Sequence, residues 1–220
     1  MFHAKLVFPP SHLVHGVLSC VLSLGVPLAR SQHHRAGSLG PLPSLDDLIP
    51  FCKYAVIPYL AWFIWIPFTL FYLLWKAPRA DFWRLCLPLF AGMTIALAVY
   101  VILPNGLDLR PYRIYGSDIF ARIVRLLYST DTATNVCPSI HVFNSVTLMM
   151  AYYRSRIFEE PRRRWMRPAS AVLCLSIIAS TVLLKQHSCI DVVMGILLAM
   201  AVDSAATSLE RSEYRILQNP

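Results

Sequence analysis

Hydrophobic residues along this chain are gathered into long runs that short polar segments separate. Four runs approach the roughly 20 apolar residues that a helix needs to cross a bilayer. They are residues 54–75, 83–103, 169–184 and 189–207. A fifth run, residues 139–153, is shorter and contains His141 and Asn144, so we expect it to face the protein interior rather than lipid.

The weakest apolar run, residues 12–29, is interrupted by His15, two glycines and a proline. Two interpretations stay open for it: a first membrane span, or a secretory signal with Lys5 as its positively charged region. Counted as a span, it completes six transmembrane helices. The predicted fold is therefore all-α, a polytopic membrane protein built as a six-helix transmembrane bundle.

A different pattern lies in the long polar segment between residues 104 and 137. From residue 117 to residue 129, apolar side chains fall on one side of a helical projection, while Asp118, Arg122 and Arg125 fall on the other. Ser117 precedes the first apolar residue and suits the N-cap position. We therefore predict an amphipathic helix at the outer membrane interface.

Composition agrees with a membrane protein. Of the 220 residues, 56% are hydrophobic and only 15% are charged, and the mean hydropathy is +0.53. These values exclude an ordinary soluble domain, a disordered chain and a collagen-like chain. We divide the chain into an N-terminal span or signal-like segment with its outer loop (1–51), a transmembrane bundle with the candidate catalytic residues (52–208) and a cytoplasmic tail (209–220).

The net charge of +8 indicates membrane topology rather than a nucleic-acid site. With the N-terminus inside, twelve of the 20 Lys and Arg residues fall on the inner side, most densely between Arg154 and Arg167. This bias follows the positive-inside rule. We expect an integral protein of the cell membrane that binds no nucleic acid, and we make no prediction of its oligomeric state.

Three polar clusters abut the apolar runs, and the predicted topology places all three on the non-cytoplasmic side. They are Arg110-Pro111, then Pro138-Ser139-Ile140-His141, then the segment from Lys185 through His187 to Asp191. Ionisable residues at membrane depth cost several kcal/mol each unless they are paired or hydrated. The convergence of three such clusters at one face therefore predicts a functional site there.

Part of this set suits the binding of phosphate. Arg110 and Lys185 offer positive charge, and the guanidinium fork of an arginine fits phosphate oxygens well. Pro138 suits the first turn of a helix, whose free N–H groups would then point outward, and Ser139 adds a hydroxyl donor. We therefore predict Arg110, Ser139 and Lys185 as the groups that bind a substrate phosphate.

The remaining residues suit phosphoryl transfer in two steps. His187 and Asp191 are four residues apart, so on a helix the carboxylate can orient the imidazole. His187 would attack phosphorus and form a phosphohistidine. His141 would protonate the departing oxygen and later activate water or an acceptor alcohol. This chemistry needs no metal and no other cofactor.

The same residues resemble the type 2 phosphatidic acid phosphatase superfamily, whose signature is KxxxxxxRP, then PSGH, then SRxxxxxHxxxD. Arg110-Pro111 matches the end of the first motif, residues 138–141 match the second, and His187 with Asp191 matches the third. The resemblance implies a six-helix bundle and a metal-independent enzyme that acts on a phosphorylated lipid. It also implies His187 as the nucleophile, Asp191 as its partner and His141 as the acid and base.

The chain departs from this signature at three positions: Leu103 replaces the lysine, Ile140 the glycine and Thr181 the arginine. Lys185 lies near enough to replace one of the two missing cations. The Lys-Gln-His lead into HxxxD is more similar to the inositol phosphorylceramide and sphingomyelin synthase branch, which transfers a phospho-headgroup between lipids. Hydrolysis and transfer therefore both stay open.

Less specific interpretations also stay open. Ser188 and Asp191 can form a capping box at the start of the last helix, and Lys185 can simply extend to outer headgroups. The tyrosines and tryptophans near the span ends are interpreted as an interfacial belt. Two other functions compete with the enzyme: a catalytically inactive membrane scaffold of the same fold, and a haem-binding cytochrome with His141 and His187 as axial ligands.

Overall fold

The computed structural model describes residues 45–218, with side chains up to residue 210, and within this range the regular elements are all helical. The helices are α1 (Leu45–Leu48), α2 (Val56–Lys76), α3 (Arg79–Ile102), α4 (Ile119–Thr130), α5 (Ile140–Arg154), α6 (Met166–Leu183) and α7 (Cys189–Gln218), with 3-10 turns at Lys53–Ala55 and Arg156–Phe158. The prediction of an all-α fold is confirmed. The first predicted span, residues 12–29, lies outside the described residues.

Four segments in the described range are long and apolar enough to cross a membrane. They are Lys53–Lys76, Arg79–Ile102, Met166–Leu183 and Cys189–Glu210. Each covers one of the four longest runs of the sequence to within one residue, because about 20 apolar residues in a helix match the thickness of the hydrocarbon layer. The last helix continues to Gln218, so it also contains most of the segment predicted as a tail.

The short helix α5 lies at the centre of the bundle. It has 15 residues and packs against α3, α6 and α7. Its middle part is buried without a break from Val142 to Leu148. The prediction that this run faces the protein interior is therefore confirmed, whereas α6 and α7 expose apolar side chains such as Val172 and Leu197 that suit lipid.

The amphipathic helix α4 lies beside the start of α2. Its buried Val124 packs with Val56, Tyr59 and Leu184. The predicted N-cap was wrong by one residue: Asp118, not Ser117, caps α4 by accepting a hydrogen bond from the Ala121 N–H at 3.2 Å. Both residue types make good caps, but Asp118 also binds the ammonium of Lys53, which lowers the pKa of this carboxyl.

Candidate active site

The loop that carries His187 is formed by the end of α6. Residues 184–188, which we call the histidine loop, turn back on α6 through a Schellman motif. The Gln186 N–H donates to the Thr181 carbonyl at 2.9 Å, and the Lys185 N–H donates to the Val182 carbonyl at 3.0 Å. Lys185 occupies the left-handed position of this motif, with φ of 52°. The turn brings His187 to the beginning of α7.

The first turn of α7 fixes Asp191. One of its carboxylate oxygens accepts a hydrogen bond from the Ser188 N–H at 2.7 Å, and the Asp191 N–H donates to the Ser188 hydroxyl at 3.2 Å. This is a reciprocal capping box. The same oxygen, Oδ2, lies 3.7 Å from His187 Nδ1. The structural interpretation of Asp191 and the functional one are therefore compatible, because one carboxylate contacts both groups.

Close contact between α5 and α7 brings the second motif to the third. The Ser139 N–H donates to the Asp191 carbonyl at 3.1 Å, and the Ser139 hydroxyl caps α5 by accepting from the Val142 N–H at 3.3 Å. Gly195 makes this approach possible, because a Cβ atom there would lie 2.8 Å from the Ser139 carbonyl oxygen. α5 itself begins at Ile140, with Ser139 as its cap, rather than at Pro138 as predicted.

The two histidines meet directly. His141 Nδ1 lies 3.3 Å from His187 Nε2, and the ring centroids are 5.5 Å apart. With a proton on His187 Nδ1 facing Asp191, His187 Nε2 is left as the acceptor and His141 Nδ1 as the donor. A phosphoryl group that enters between the two nitrogens has to widen this separation.

Two aromatic rings of α2 hold His141 in place. The imidazole packs against Trp62, with ring centroids 4.4 Å apart, and against Tyr59, with centroids 4.6 Å apart. Tyr59 is buried and donates a 3.3 Å hydrogen bond to the carboxylate of Asp131. Sequence reasoning singled out neither residue, because its predicted interfacial belt concerned the aromatic residues at the span ends. Their spacing of three residues, which puts both on one helix face, was the available signal.

Arg110 reaches the histidine loop through Gln186. Its Nη2 group donates to Gln186 Oε1, and its Nη1 group donates to the Asp131 carbonyl at 2.7 Å. The guanidinium also lies over the ring of Tyr128, 4.6 Å from the centroid. Burial lowers the pKa of Arg110 and raises that of the Asp131 carboxyl, which lies within electrostatic range of Arg110 and His187.

Lys185 points away from this group of residues. Its ammonium donates to the Asp46 carbonyl and, at 2.6 Å, to the Ile49 carbonyl. The side chain is nearly buried in these contacts with the segment that precedes α2, and the residue is 8% exposed. These two bonds use two of the three N–H donors of the ammonium, so the role of Lys185 as a phosphate ligand stays a prediction.

Buried polar atoms without a partner accumulate around the histidines. Among the described side chains these atoms are Trp62 Nε1, Arg110 Nε, His141 Nε2, Asn144 Oδ1, Ser145 Oγ, Gln186 Nε2 and His187 Nδ1. Each such atom costs about 1–3 kcal/mol when it is left unpaired. Several are N–H donors, so an anion with several oxygen atoms would satisfy them.

Sequence comparison identifies the family. A family model described as the PAP2 superfamily matches residues 85–214, which is more than half of the chain. The chain belongs to the PAP2 superfamily. The match extends from α3 into α7 and includes the six residues predicted for the site. No curated protein and no solved structure matches the chain.

Membership of the PAP2 superfamily identifies a membrane protein of phosphatase type with lipid-like substrates. The haem alternative loses its geometric basis, because axial ligands lie on opposite sides of a porphyrin whereas these two imidazoles contact each other at 3.3 Å. Among the described residues, no three His, Cys, Asp or Glu side chains are grouped as metal ligands would be.

Two polar residues of this PAP2 protein's site were missed by sequence reasoning. Gln186 is 2% exposed and links Arg110 to the histidine loop, and its signal was its position beside His187 in the third motif. Asp131 ends α4 as its C-cap, and its carboxylate reaches Tyr59. Nothing in the local sequence pattern distinguishes Asp131 from an ordinary cap.

Proposed function

We propose that this PAP2 protein transfers the phosphoryl group of a phosphorylated lipid through a phosphohistidine, without a metal. The observation that carries the proposal is the direct contact of His141 Nδ1 with His187 Nε2, beside a group of buried donors that have no partner. An oriented nucleophile, an adjacent acid and unpaired donors are the parts that phosphoryl transfer requires.

In the first step, the lone pair of His187 Nε2 attacks phosphorus and the P–N bond forms. The bond from phosphorus to the leaving oxygen breaks, and His141, protonated on both ring nitrogens, gives its Nδ1 proton to that oxygen and becomes neutral. Asp191 stabilises the positive charge that develops on the His187 ring. In the second step, His141 Nδ1 accepts a proton from water or an alcohol, whose oxygen attacks phosphorus and breaks the P–N bond.

The phosphate oxygens would be bound by neutral and charged donors. Arg110 offers its unpaired Nε–H, and Gln186 offers its unpaired amide N–H groups. Ser139 still has a hydroxyl hydrogen to donate, since its oxygen acts as an acceptor in the cap. We assign Lys185 to the support of the histidine loop rather than to phosphate, because its ammonium binds two carbonyl oxygens. The predicted non-cytoplasmic position of the site is part of this proposal.

The test uses the full chain purified in detergent, with phosphatidate-type lipids and EDTA present. Phosphate release and headgroup exchange are measured for the wild type, for His187→Ala and for Tyr152→Phe. Tyr152 is a control because its hydroxyl pairs with that of Thr69, away from the histidines. Tyr152 lies eleven residues along α5 from His141, which corresponds to roughly 16 Å. We expect His187→Ala to abolish turnover and Tyr152→Phe to keep it.

The products separate the remaining alternatives. Free phosphate identifies a hydrolase, and an exchanged headgroup identifies a transferase. A 32P label that stays on the wild-type protein after acid-free denaturation, and is absent from His187→Ala, identifies the phosphohistidine. An intact wild type that yields neither product on any phosphorylated lipid would instead support the inactive scaffold.

A further inference from the structure

The segment before α2 crosses the histidine loop and contacts both of its ends. We call residues 45–52 the N-terminal strap. At one end of the loop, the Lys185 ammonium donates to the carbonyls of Asp46 and Ile49. At the other end, the Asp46 carboxylate accepts a 2.7 Å hydrogen bond from the Cys189 N–H. Strap contacts therefore lie two residues before His187 and two residues after it.

The backbone of Lys185 is strained, which indicates that its side chain has a use. Its φ of 52° belongs to the left-handed region, where a Schellman motif usually has glycine. A residue with a Cβ atom costs about 1 kcal/mol there. Lysine is thus unfavourable for the turn itself, and only the contacts of its ammonium can offset this conformational cost. In the described part of the chain those contacts are with the strap.

Asp46 contacts the chain on the other side of His187, at Cys189. The residue is 8% exposed, although it belongs to a helix of only four residues at the surface of the bundle. Its carboxylate accepts from the N–H of Cys189, the first residue of α7, while the N–H of the preceding residue, Ser188, donates to Asp191. The strap is fixed to the bundle independently by the Cys52 N–H, which donates to the Leu183 carbonyl at 2.9 Å.

We propose that Asp46 and Lys185 are positioning residues that hold the histidine loop so that His187 Nε2 faces His141. The proposal rests on the proposed function of His187 as the nucleophile. Neither residue touches the substrate; both act through the backbone on either side of His187. Displacing a nucleophile by about 1 Å can cost up to a hundredfold in rate, so the strap contributes to kcat rather than to lipid binding.

The test compares Lys185→Gly, Asp46→Ala, the double variant and Asp46→Asn in the full-length protein. Lys185→Gly relieves the strained φ but also removes two hydrogen bonds to strap carbonyls, so its thermal stability should stay close to that of the wild type. We expect kcat to fall about tenfold or more in Lys185→Gly and in Asp46→Ala, with KM unchanged. The double variant should lose no more than the larger single loss, because both residues act as one unit.

Two further variants provide the controls. Asp46→Asn keeps an oxygen that can accept from the Cys189 N–H, so it should restore most of the activity that Asp46→Ala loses. Lys53→Ala removes another lysine at the start of α2, one that binds Asp118 on α4 and not the histidine loop, and kcat should stay at the wild-type value.

Each other result overturns the proposal in a recognisable way. A Lys185→Gly variant with wild-type kcat shows that the ammonium does not position His187. A rise in KM with unchanged kcat assigns Lys185 to phosphate binding instead. Loss of activity in proportion to loss of thermal stability assigns both residues a structural role. A wild type that turns over no phosphorylated lipid refutes the proposed function first, and the positioning role fails with it.

Discussion

The two contacts of the Asp191 carboxylate can be separated by mutation. Asp191→Asn keeps an oxygen for the Ser188 N–H but removes the negative charge 3.7 Å from His187 Nδ1. Ser188→Ala does the opposite, because it removes the hydroxyl that accepts from the Asp191 N–H and leaves the carboxylate in place. We expect the first variant to lose activity and the second to lose stability.

The magnitude of each loss follows from the geometry. Two unit charges 3.7 Å apart attract by about 4–5 kcal/mol at an effective dielectric constant of about 20. If the positive charge on His187 were fully developed in the transition state, loss of this attraction would lower the rate by about three powers of ten. Since the charge is only partly formed in the transition state, we expect Asp191→Asn to lower kcat about 10²–10³-fold. Loss of the cap in Ser188→Ala should cost about 1 kcal/mol of folding stability.

The measurements are lipid turnover and thermal unfolding of the same detergent-purified samples. Asp191→Asn should unfold close to the wild-type temperature, and Ser188→Ala should unfold earlier while it keeps most of its activity. If Asp191→Asn retains activity within about twofold, the carboxylate is only a cap, and the role assigned to it in the reaction is wrong.

Three further variants test other parts of the site. Gln186→Leu removes the amide donors and the acceptor for Arg110, so KM for the lipid should rise about tenfold in steady-state assays. Asp131→Asn removes a carboxylate near Arg110 and His187, so KM for a dianionic phosphomonoester should fall several-fold, and an unchanged KM would exclude this electrostatic role. Gly195→Ala places a methyl group against the Ser139 carbonyl, so thermal unfolding should show a loss of about 1–3 kcal/mol, and a stable variant would contradict the close packing of α5 on α7.

The membrane helices could be predicted because their signal is local. Runs such as those that became α3 and α7 are apolar over about 20 residues, and few structures other than a spanning helix accommodate that. The N-cap of α4 was harder to predict, since Ser117 and Asp118 are both residue types that suit an N-cap. What favours Asp118 is its contact with Lys53, which is 65 residues away in the sequence and so invisible to a local pattern.

The site could be predicted in its position but not in its detail. Topology alone brought His141, His187 and Asp191 to one end of the bundle. Which of the neighbouring Lys185 and Gln186 faces the histidines depends on the backbone of the turn between α6 and α7. The left-handed φ of Lys185 directs its side chain to the strap, and Gln186 meets Arg110 instead. Charge pointed to the lysine in the sequence, whereas the turn geometry brings the glutamine to Arg110.

Much of the second and third motifs would be needed even in a protein without activity. Asp191 caps α7, the Ser139 hydroxyl caps α5, and the Thr181 carbonyl closes the turn after α6, so each satisfies backbone groups at a helix end. These residues therefore do not distinguish an enzyme from a scaffold of the same fold.

The unpaired donors favour the enzyme. Arg110 Nε and Gln186 Nε2 are buried beside the histidine loop without a protein partner, and a buried donor costs about 1–3 kcal/mol while nothing binds it. A scaffold has no reason to keep polar groups in that state, because apolar side chains of similar size would pack there at no such cost. Their presence next to His187 is explained if the missing partner is the oxygen of a substrate phosphate, and this favours the enzyme over the scaffold.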